Sequence, residues 1–539
     1  MGLILVVLLA ALSPPQQATP PLSHIEGVIT SAAGEPLSGA RIILRRDGSV
    51  NREAEYGTVT GTNGKFAFRD IVAGRYRLTA TMPGYVRREY GQRRPNGPST
   101  ILDLTVPQLV RDLKLSLIPG STIAGRVYDQ DGRPVQRATI QALVPRYVKG
   151  IRTLILGATA QTDDLGDYRM YWINPGQYFL LATPSRPASD DAIPAAIEQF
   201  DGSEEIYPPV FYPNAIDETG ARPLRLDPGA ELRGVDFILT RVRAVRVGGR
   251  VVDSATRALV PGANVSIRMG QAGIASASIT LSTRSDLQGN FELRRVVPGT
   301  YTLHAINALP ASQSAMVRRE IQVGDKDIAG LEIALQPPLF LNGRVTIEGT
   351  PDKLPERRMS VALTPMDGIG GYGASVQPDG TFVINAVEPN VYRIEVSGLP
   401  GTFYVRSARL GRNDVLQNGM DLREGVAESL DLSIATGAGT VEGAVIDEQQ
   451  KPVPGAQVVL VPAIQNRSRF DLFRTTTTDQ AGRFTIQGAV PGDYKLFAWE
   501  DLEPGDYFNP TILEQYETRG TQIRIEERGR ATATLKTIQ

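Results

Sequence analysis

Gly443-Ala444-Val445, Lys451-Pro452-Val453-Pro454-Gly455-Ala456-Gln457-Val458, Thr478-Asp479-Gln480-Ala481-Gly482-Arg483-Phe484 and Pro491-Gly492-Asp493-Tyr494 set out, in order, four landmarks that decide the fold. A glycine opens a strand, a Pro/Gly turn reverses the chain, a polar Asp-Gly turn starts the next strand, and "P-G-x-Y" starts another. The same order recurs upstream. Its outer landmarks are Gly27-Val28-Ile29 and Gly74-Arg75-Tyr76, Gly125-Arg126-Val127 and Pro175-Gly176-Gln177-Tyr178, and Gly249-Arg250-Val251 and Pro298-Gly299-Thr300-Tyr301. A further copy runs from Gly343-Arg344-Val345 to Pro389-Asn390-Val391-Tyr392. A fixed internal period signals an array of one structural unit, and a period of about 100 residues is the size of an all-β domain rather than of a solenoid turn.

Alternation fills the segments between landmarks. Phe66-Ala67-Phe68, Phe291-Glu292-Leu293, Tyr301-Thr302-Leu303, Phe484-Thr485-Ile486 and Tyr494-Lys495-Leu496 place apolar groups at period two, which predicts strands with one buried and one wet face. Asn63-Gly64, Asp131-Gly132 and Asp379-Gly380 supply the positive φ of tight turns. The small Ala40, Ala138 and Ala456 after the first turn are expected to face the opposite sheet, where a larger group would overpack. The units therefore read as β-sandwiches of about seven strands each. From opening Gly to "P-G-x-Y" Tyr is about 50 residues in every copy, whereas the return to the next Gly varies. It is longest after Tyr178, where Ser185 to Gly202 and Tyr207-Pro208-Pro209-Val210-Phe211-Tyr212-Pro213 intervene. Insertions collect where a loop leaves the core undisturbed.

Composition narrows the function classes. The 539 residues carry 57 basic and 58 acidic side chains, so no global basic field draws nucleic acid. With no Cys, disulfides, thiolate nucleophiles and Cys-ligated metals are excluded. His24 and His304 are the sole histidines and lie in different repeats, a poor basis for catalytic zinc. Leu3 to Leu12 has the length of a signal-peptide core and is too short to span a bilayer. Export to the periplasm, cell surface or medium is expected, with no transmembrane helix after signal removal. Walker loop, G-x-S-x-G elbow and dinucleotide fingerprint are all missing.

The ordered landmarks resemble the carboxypeptidase regulatory-like domain, a transthyretin-like (prealbumin-like) sandwich with the pattern "G-x-V", "G-x-P-[LV]-x-[GA]-A-x-V", "T-D-x-x-G-x-[FY]" and "P-G-x-Y". The fourth copy diverges, with Asn390 for the Gly and no "P-x-x-G-A" turn. The resemblance implies an all-β tandem array of about five seven-stranded sandwiches of a carbohydrate-binding-like group, in an exported bacterial protein. It implies no catalysis, since the zinc ligands of the carboxypeptidases that lend the name lie in a separate domain and neither His is followed by Glu three residues on. The expected division is 1–23 signal and linker, then units at 24–119, 120–243, 244–337, 338–436 and 437–539.

Function is then sought where the copies differ. Tyr207, Phe211 and Tyr212 are candidates to stack on sugar rings, as are Trp499 and Tyr507 of the second, acidic-aromatic loop. Tyr168 and Trp172 read as core residues by their strand position. Asp501, Glu503 and Asp506 offer oxygen ligands suited to Ca²⁺, though a solvated loop explains them. Asp163, Asp164 and Asp167 read as a structural hairpin. No metal, cofactor or catalytic residue is expected. The expectation is an exported, non-enzymatic binding or scaffold protein with a glycan or a cell-envelope protein as partner. The alternatives are a protein-interaction spacer and an accessory subunit of a hydrolase.

Overall fold

The structure, a computed structural model, describes residues 22–48, 55–184, 199–200, 203–269, 279–307, 315–348, 358–366, 370–425 and 428–539. The Leu3 to Leu12 run and the Ser185 to Phe200 part of the second unit's insertion lie outside those residues or carry no described side chains. Apart from a helix of about two turns at Pro510–Tyr516 and short 3-10 turns, the described chain is strands and the loops that join them. The fold is a tandem array of β-sandwiches, as the period and alternation predict.

The last unit shows the plan most simply. Gly439–Ile446 lies between antiparallel Arg483–Ala489 and parallel Arg530–Lys536. Facing this three-stranded sheet is a four-stranded one in the order Arg474–Thr477, Gln457–Pro462, Gly492–Trp499, Thr521–Ile525. Val441, Val445, Val458, Leu460, Phe484, Ile486, Tyr494 and Leu496 fill the space between the sheets. Equivalent cores lie between Ile25 and Leu117, Ile123 and Leu239, Val245 and Leu335, and Leu341 and Ile434.

Each sequence landmark has a mechanical role. The opening Gly sits opposite the aromatic of "G-x-[FY]" in register: Gly27 on Phe66, Gly125 on Tyr168, Gly249 on Phe291, Gly343 on Phe382, Gly443 on Phe484. A Cβ at Gly443 would stand 1.9 Å from the Ala533 carbonyl and 2.9 Å from the Phe484 ring. The glycine is therefore required by close approach, not by a turn. The Thr of "T-D" clamps the preceding turn: Thr478 Oγ1 accepts from Ala456 N (2.8 Å) and donates to Val453 O (2.7 Å). Thr60, Thr162 and Ser285 repeat both bonds, and Ala40, Ala138, Ala263 and Ala456 beneath them are fully buried. Unit four lacks the clamp; Val376 stands there and keeps only the backbone bond, N–H to Met359 O, that the other units also make. The "P-G-x-Y" hydroxyl donates to the carbonyl four residues back in Tyr76, Tyr178, Tyr301 and Tyr392, at 2.7–2.8 Å. Buried donors and acceptors thereby find partners.

A feature invisible as a motif recurs as well. Just before "P-G-x-Y", one residue adopts positive φ in every unit: Asp70, Trp172, Arg295, Ala386 and Gly488, at φ 54–72°. The ladder shifts register there, the signature of a bulge that turns two successive side chains outward. In the second unit those two are Tyr171 and Trp172, 59% and 60% exposed, while Tyr168 two turns of the pleat earlier is 3% exposed. Tyr168 is a core residue as its position predicts. Trp172 is not, because the bulge reverses its alternation.

Candidate functional site

Two loops hold the sequence-predicted binding residues, and both fold over the outer face of their own sandwich. In the second unit Phe211 is 5% exposed among Leu143, Leu154, Phe179 and Leu181. Tyr212 packs edge-on against Phe237, ring centroids 5.8 Å apart. The Tyr207 hydroxyl accepts from Arg241 Nε (2.9 Å) and lies 3.4 Å from an Asp129 carboxylate oxygen, with the Arg241 guanidinium over its ring. Burial pushes the Tyr207 phenol above its ordinary value. Just before it, Ser203–Ile206 adds a strand to Val242–Asp253 of the next unit. The excursion is a seam between the second and third cores.

In the fifth unit Trp499 is 2% exposed, stacked on Phe497 at 5.1 Å and edge-on to Tyr516. Tyr507 packs on Phe508 at 4.5 Å within the same outer cluster, which Val459, Val461, Leu502 and Leu513 complete. Burial raises the Tyr507 phenol. Neither Phe211 nor Trp499 offers a ring face to a ligand. Phe179-Leu180-Leu181-Ala182, Val458-Val459-Leu460-Val461 and Leu496-Phe497-Ala498-Trp499 are the signal that shows this from sequence. An unbroken apolar run marks a strand covered on both faces, and the cover has to come from the nearest insertion.

The polar part of the fifth-unit loop does something different: it leaves its own sandwich. Glu500 pairs with Arg93 and Asp501 with Arg94 of the first unit. Glu503 accepts from Arg94 at 2.7 Å and from Arg146 of the second unit at 2.5 Å. Asp506 lies beside them, its carboxyl pushed up to about 6, chiefly by desolvation and then by the Glu503 charge, against the pull of Arg146 and Arg94. Gly505, at φ 92°, comes so close to the second unit that a Cβ there would stand 2.0 Å from Tyr147 O. Of the acids that read as calcium ligands, Asp501 and Glu503 are thus ion-paired. Among the described residues no group of three or more His, Asp and Glu is placed to hold a metal.

Contacts continue along the seam. Asp103 N donates to Gln480 Oε1 and Gln480 Nε2 donates to Asp103 O, both 3.0 Å. Ile101 forms a parallel bridge with Asp479, and Arg77 reaches Thr477 at 3.5 Å. Lys149 of the second unit pairs with Glu395 of the fourth. Units one and two therefore form one arm and units four and five another, lying against each other with unit three at the bend. At the bend His304 Nε2 meets the buried Glu388 carboxylate of unit four at 2.5 Å. Such charge-rich contacts position partners and screen with salt.

The carboxypeptidase regulatory-like domain matches residues 24–107, 246–336 and 440–507. Human BOS complex subunit NOMO2 is 24% identical over 378 residues, 67% of this chain and 26% of that protein. Mouse BOS complex subunit NOMO1 is 24% identical over 372 residues, 67% and 27% respectively. The chain spans about a quarter of the length of these relatives. Among solved structures, a Streptococcal ancillary pilin aligns with a TM-score of 0.23 at 11% identity, covering 58% of this chain and 98% of the pilin. BcpA, the major pilin subunit of Bacillus cereus, aligns at 0.14 and 12% identity over 58% and 99%.

Proposed function

Because this chain carries carboxypeptidase regulatory-like domains in three regions, 24–107, 246–336 and 440–507, we propose that it works as a non-catalytic scaffold that holds partner proteins at the cell envelope. One observation carries the reading: the residues the copies share are used by the fold itself. The glycines admit a neighbouring carbonyl, the Thr and Ser hydroxyls clamp turns, the tyrosines close corners, and Asp163, Asp286 and Asp479 accept backbone N–H groups within their own hairpins. Repetition here multiplies a framework, and function lies in the surfaces it sets side by side. That the matched relatives are named as subunits of a complex supports a protein partner. Export, through Leu3 to Leu12, belongs to the same reading. The test is affinity purification of the tagged chain from an envelope fraction, alongside peptidase, esterase and glycosidase assays. A stoichiometric protein partner with no turnover is expected; robust hydrolysis would refute the scaffold.

Glycan binding is a second reading, and a specific observation favours it. The bulge of the second unit presents Tyr171 and Trp172 side by side, with the Arg169 guanidinium 5.0 Å from the Tyr171 ring and held by Glu231 at 2.7 Å. The equivalent bulges carry Arg69-Asp70, Arg294-Arg295, Asn385-Ala386 and Gln487-Gly488. On a glycan array this reading expects binding lost on Trp172→Ala and kept on Ile238→Ala. Binding to no glycan removes it.

A further inference from the structure

The surfaces that join the two arms are complementary, lie on opposite ends of one chain, and share no core. None of the hydrophobic clusters among the described residues contains residues of both arms. What joins them is the Arg93/Arg94/Arg146 set against Glu500/Asp501/Glu503, the Lys149–Glu395 pair, the reciprocal Asp103–Gln480 bonds, the Arg77–Thr477 contact, one β-bridge, and the close approach of Gly505 to Tyr147 O and of Gly150 to the Phe470 ring. Within an arm the units also meet without a shared core, at joints of their own. The first two units share backbone bonds at Gly84–Gly120 and Val86–Ile118 flanking the connection itself. The last two share Arg393 stacked on Phe470 at 4.8 Å and Gln417 bonded to Gln465 O and Ser468. The contact between arms is built mainly of polar groups, like an interface between transient partners.

We propose that this contact is exchangeable: the arm of units one and two fits units four and five of a second copy as it fits its own, giving a reciprocal dimer hinged at unit three. The occupant is a second copy of this chain because every group needed on each side is already present on it, in matching charge and register. Exchange creates no new interface, which is what makes swapping a low-cost route to a dimer. The hinge is short, Gln336-Pro337-Pro338 between units three and four, since Ser203–Ile206 ties unit two to the sheet of unit three. Closure within one chain benefits from an effective concentration on the order of millimolar, so a dilute chain stays closed. Salt loosens the charge pairs, and concentration while they are loosened favours exchange.

The absence of Cys from the sequence permits a clean test. Asp103→Cys and Gln480→Cys are placed on separate full-length chains of distinguishable size, and together on one chain as a control. The separate chains are mixed at high concentration in 1 M salt, returned to low salt and oxidised. A disulfide-linked heterodimer, absent when the same chains are mixed at low concentration without the salt step, is expected; the doubly substituted chain is expected to close on itself. If that chain closes efficiently while the mixture yields no heterodimer, the contact is internal only and exchange is overturned. If neither forms, the arms do not dock as described and the proposal falls with them. A second readout is mass by light scattering after the same salt step. Doubling is expected for the native chain, and loss of the doubled species for Arg94→Glu, which keeps all cores intact.

Discussion

The two excursions, Tyr207–Pro213 in unit two and Trp499–Asn509 in unit five, look alike in sequence and behave differently in the structure. Both place aromatic side chains on the outer face of a sheet and so give their strands a second core, Phe211 in one and Trp499 in the other. The first then stays near its own sandwich, its polar atoms answered by Arg241 and Asp129 at the seam with the next unit. The second sends Glu500, Asp501 and Glu503 across to units one and two. The lesson is that the aromatics of an insertion report on what it covers, while its unbalanced charge reports on what it reaches. Arg241 answers Tyr207 locally; the four acids between Glu500 and Asp506 have no basic residue among them, and Glu500, Asp501 and Glu503 find theirs far along the chain.

The sharpest way to break this comparison is to remove the second-face core. Trp499→Ala should cost about 3–5 kcal/mol in denaturant unfolding of the C-terminal unit, and Phe211→Ala a similar amount in unit two. A loss below about 1 kcal/mol at either site would mean that its loop is not the cover. Next, Glu503→Lys should separate the arms: the radius of gyration from scattering rises, and melting of unit five alone changes by less than about 1 kcal/mol, as expected for a partly exposed site. Thr478→Val leaves Ala456 N and Val453 O without partners at full burial and should cost about 1–3 kcal/mol. The same change at Val376 in reverse (Val376→Thr) should gain little, because unit four has no turn to clamp.

The smallest effect concerns pH. The Asp506 carboxyl is raised in the docked state above its free value of 3.8, to about 6. Docking therefore takes up a proton, strengthens as pH falls from above 6 toward 4, and is opposed by the ionised group above pH 6. Asp506→Asn should flatten that dependence and raise docked stability at pH 7.5 by about 1 kcal/mol after discounting for partial exposure. An unchanged pH profile would place the titrating group elsewhere.

Much of the fold was legible because its landmarks are local. A Gly facing an aromatic leaves a mark in all five copies, and a Thr or Ser above an Ala and a Tyr four residues past its carbonyl acceptor leave theirs in four. The bulge left none, since Asp70, Trp172, Arg295, Ala386 and Gly488 share φ and not chemistry, and so Trp172 was assigned inward. Of the candidate site, the acids at 501, 503 and 506 were visible and their partners were not: Arg94 and Arg146 lie some 400 and 350 residues away, a separation that no periodicity encodes. Trp499 and Phe211 read as exposed because loop aromatics invite that reading; the neighbouring four-residue apolar runs show instead that two faces needed covering.

The central claim is that the array is folded back on itself, first arm on second. Small-angle scattering of the full chain at low salt tests it directly. The predicted result is a compact distance distribution matching docked arms, which lengthens on Glu503→Lys or in high salt. A distribution already as long as five sandwiches end to end, unchanged by either treatment, would contradict it.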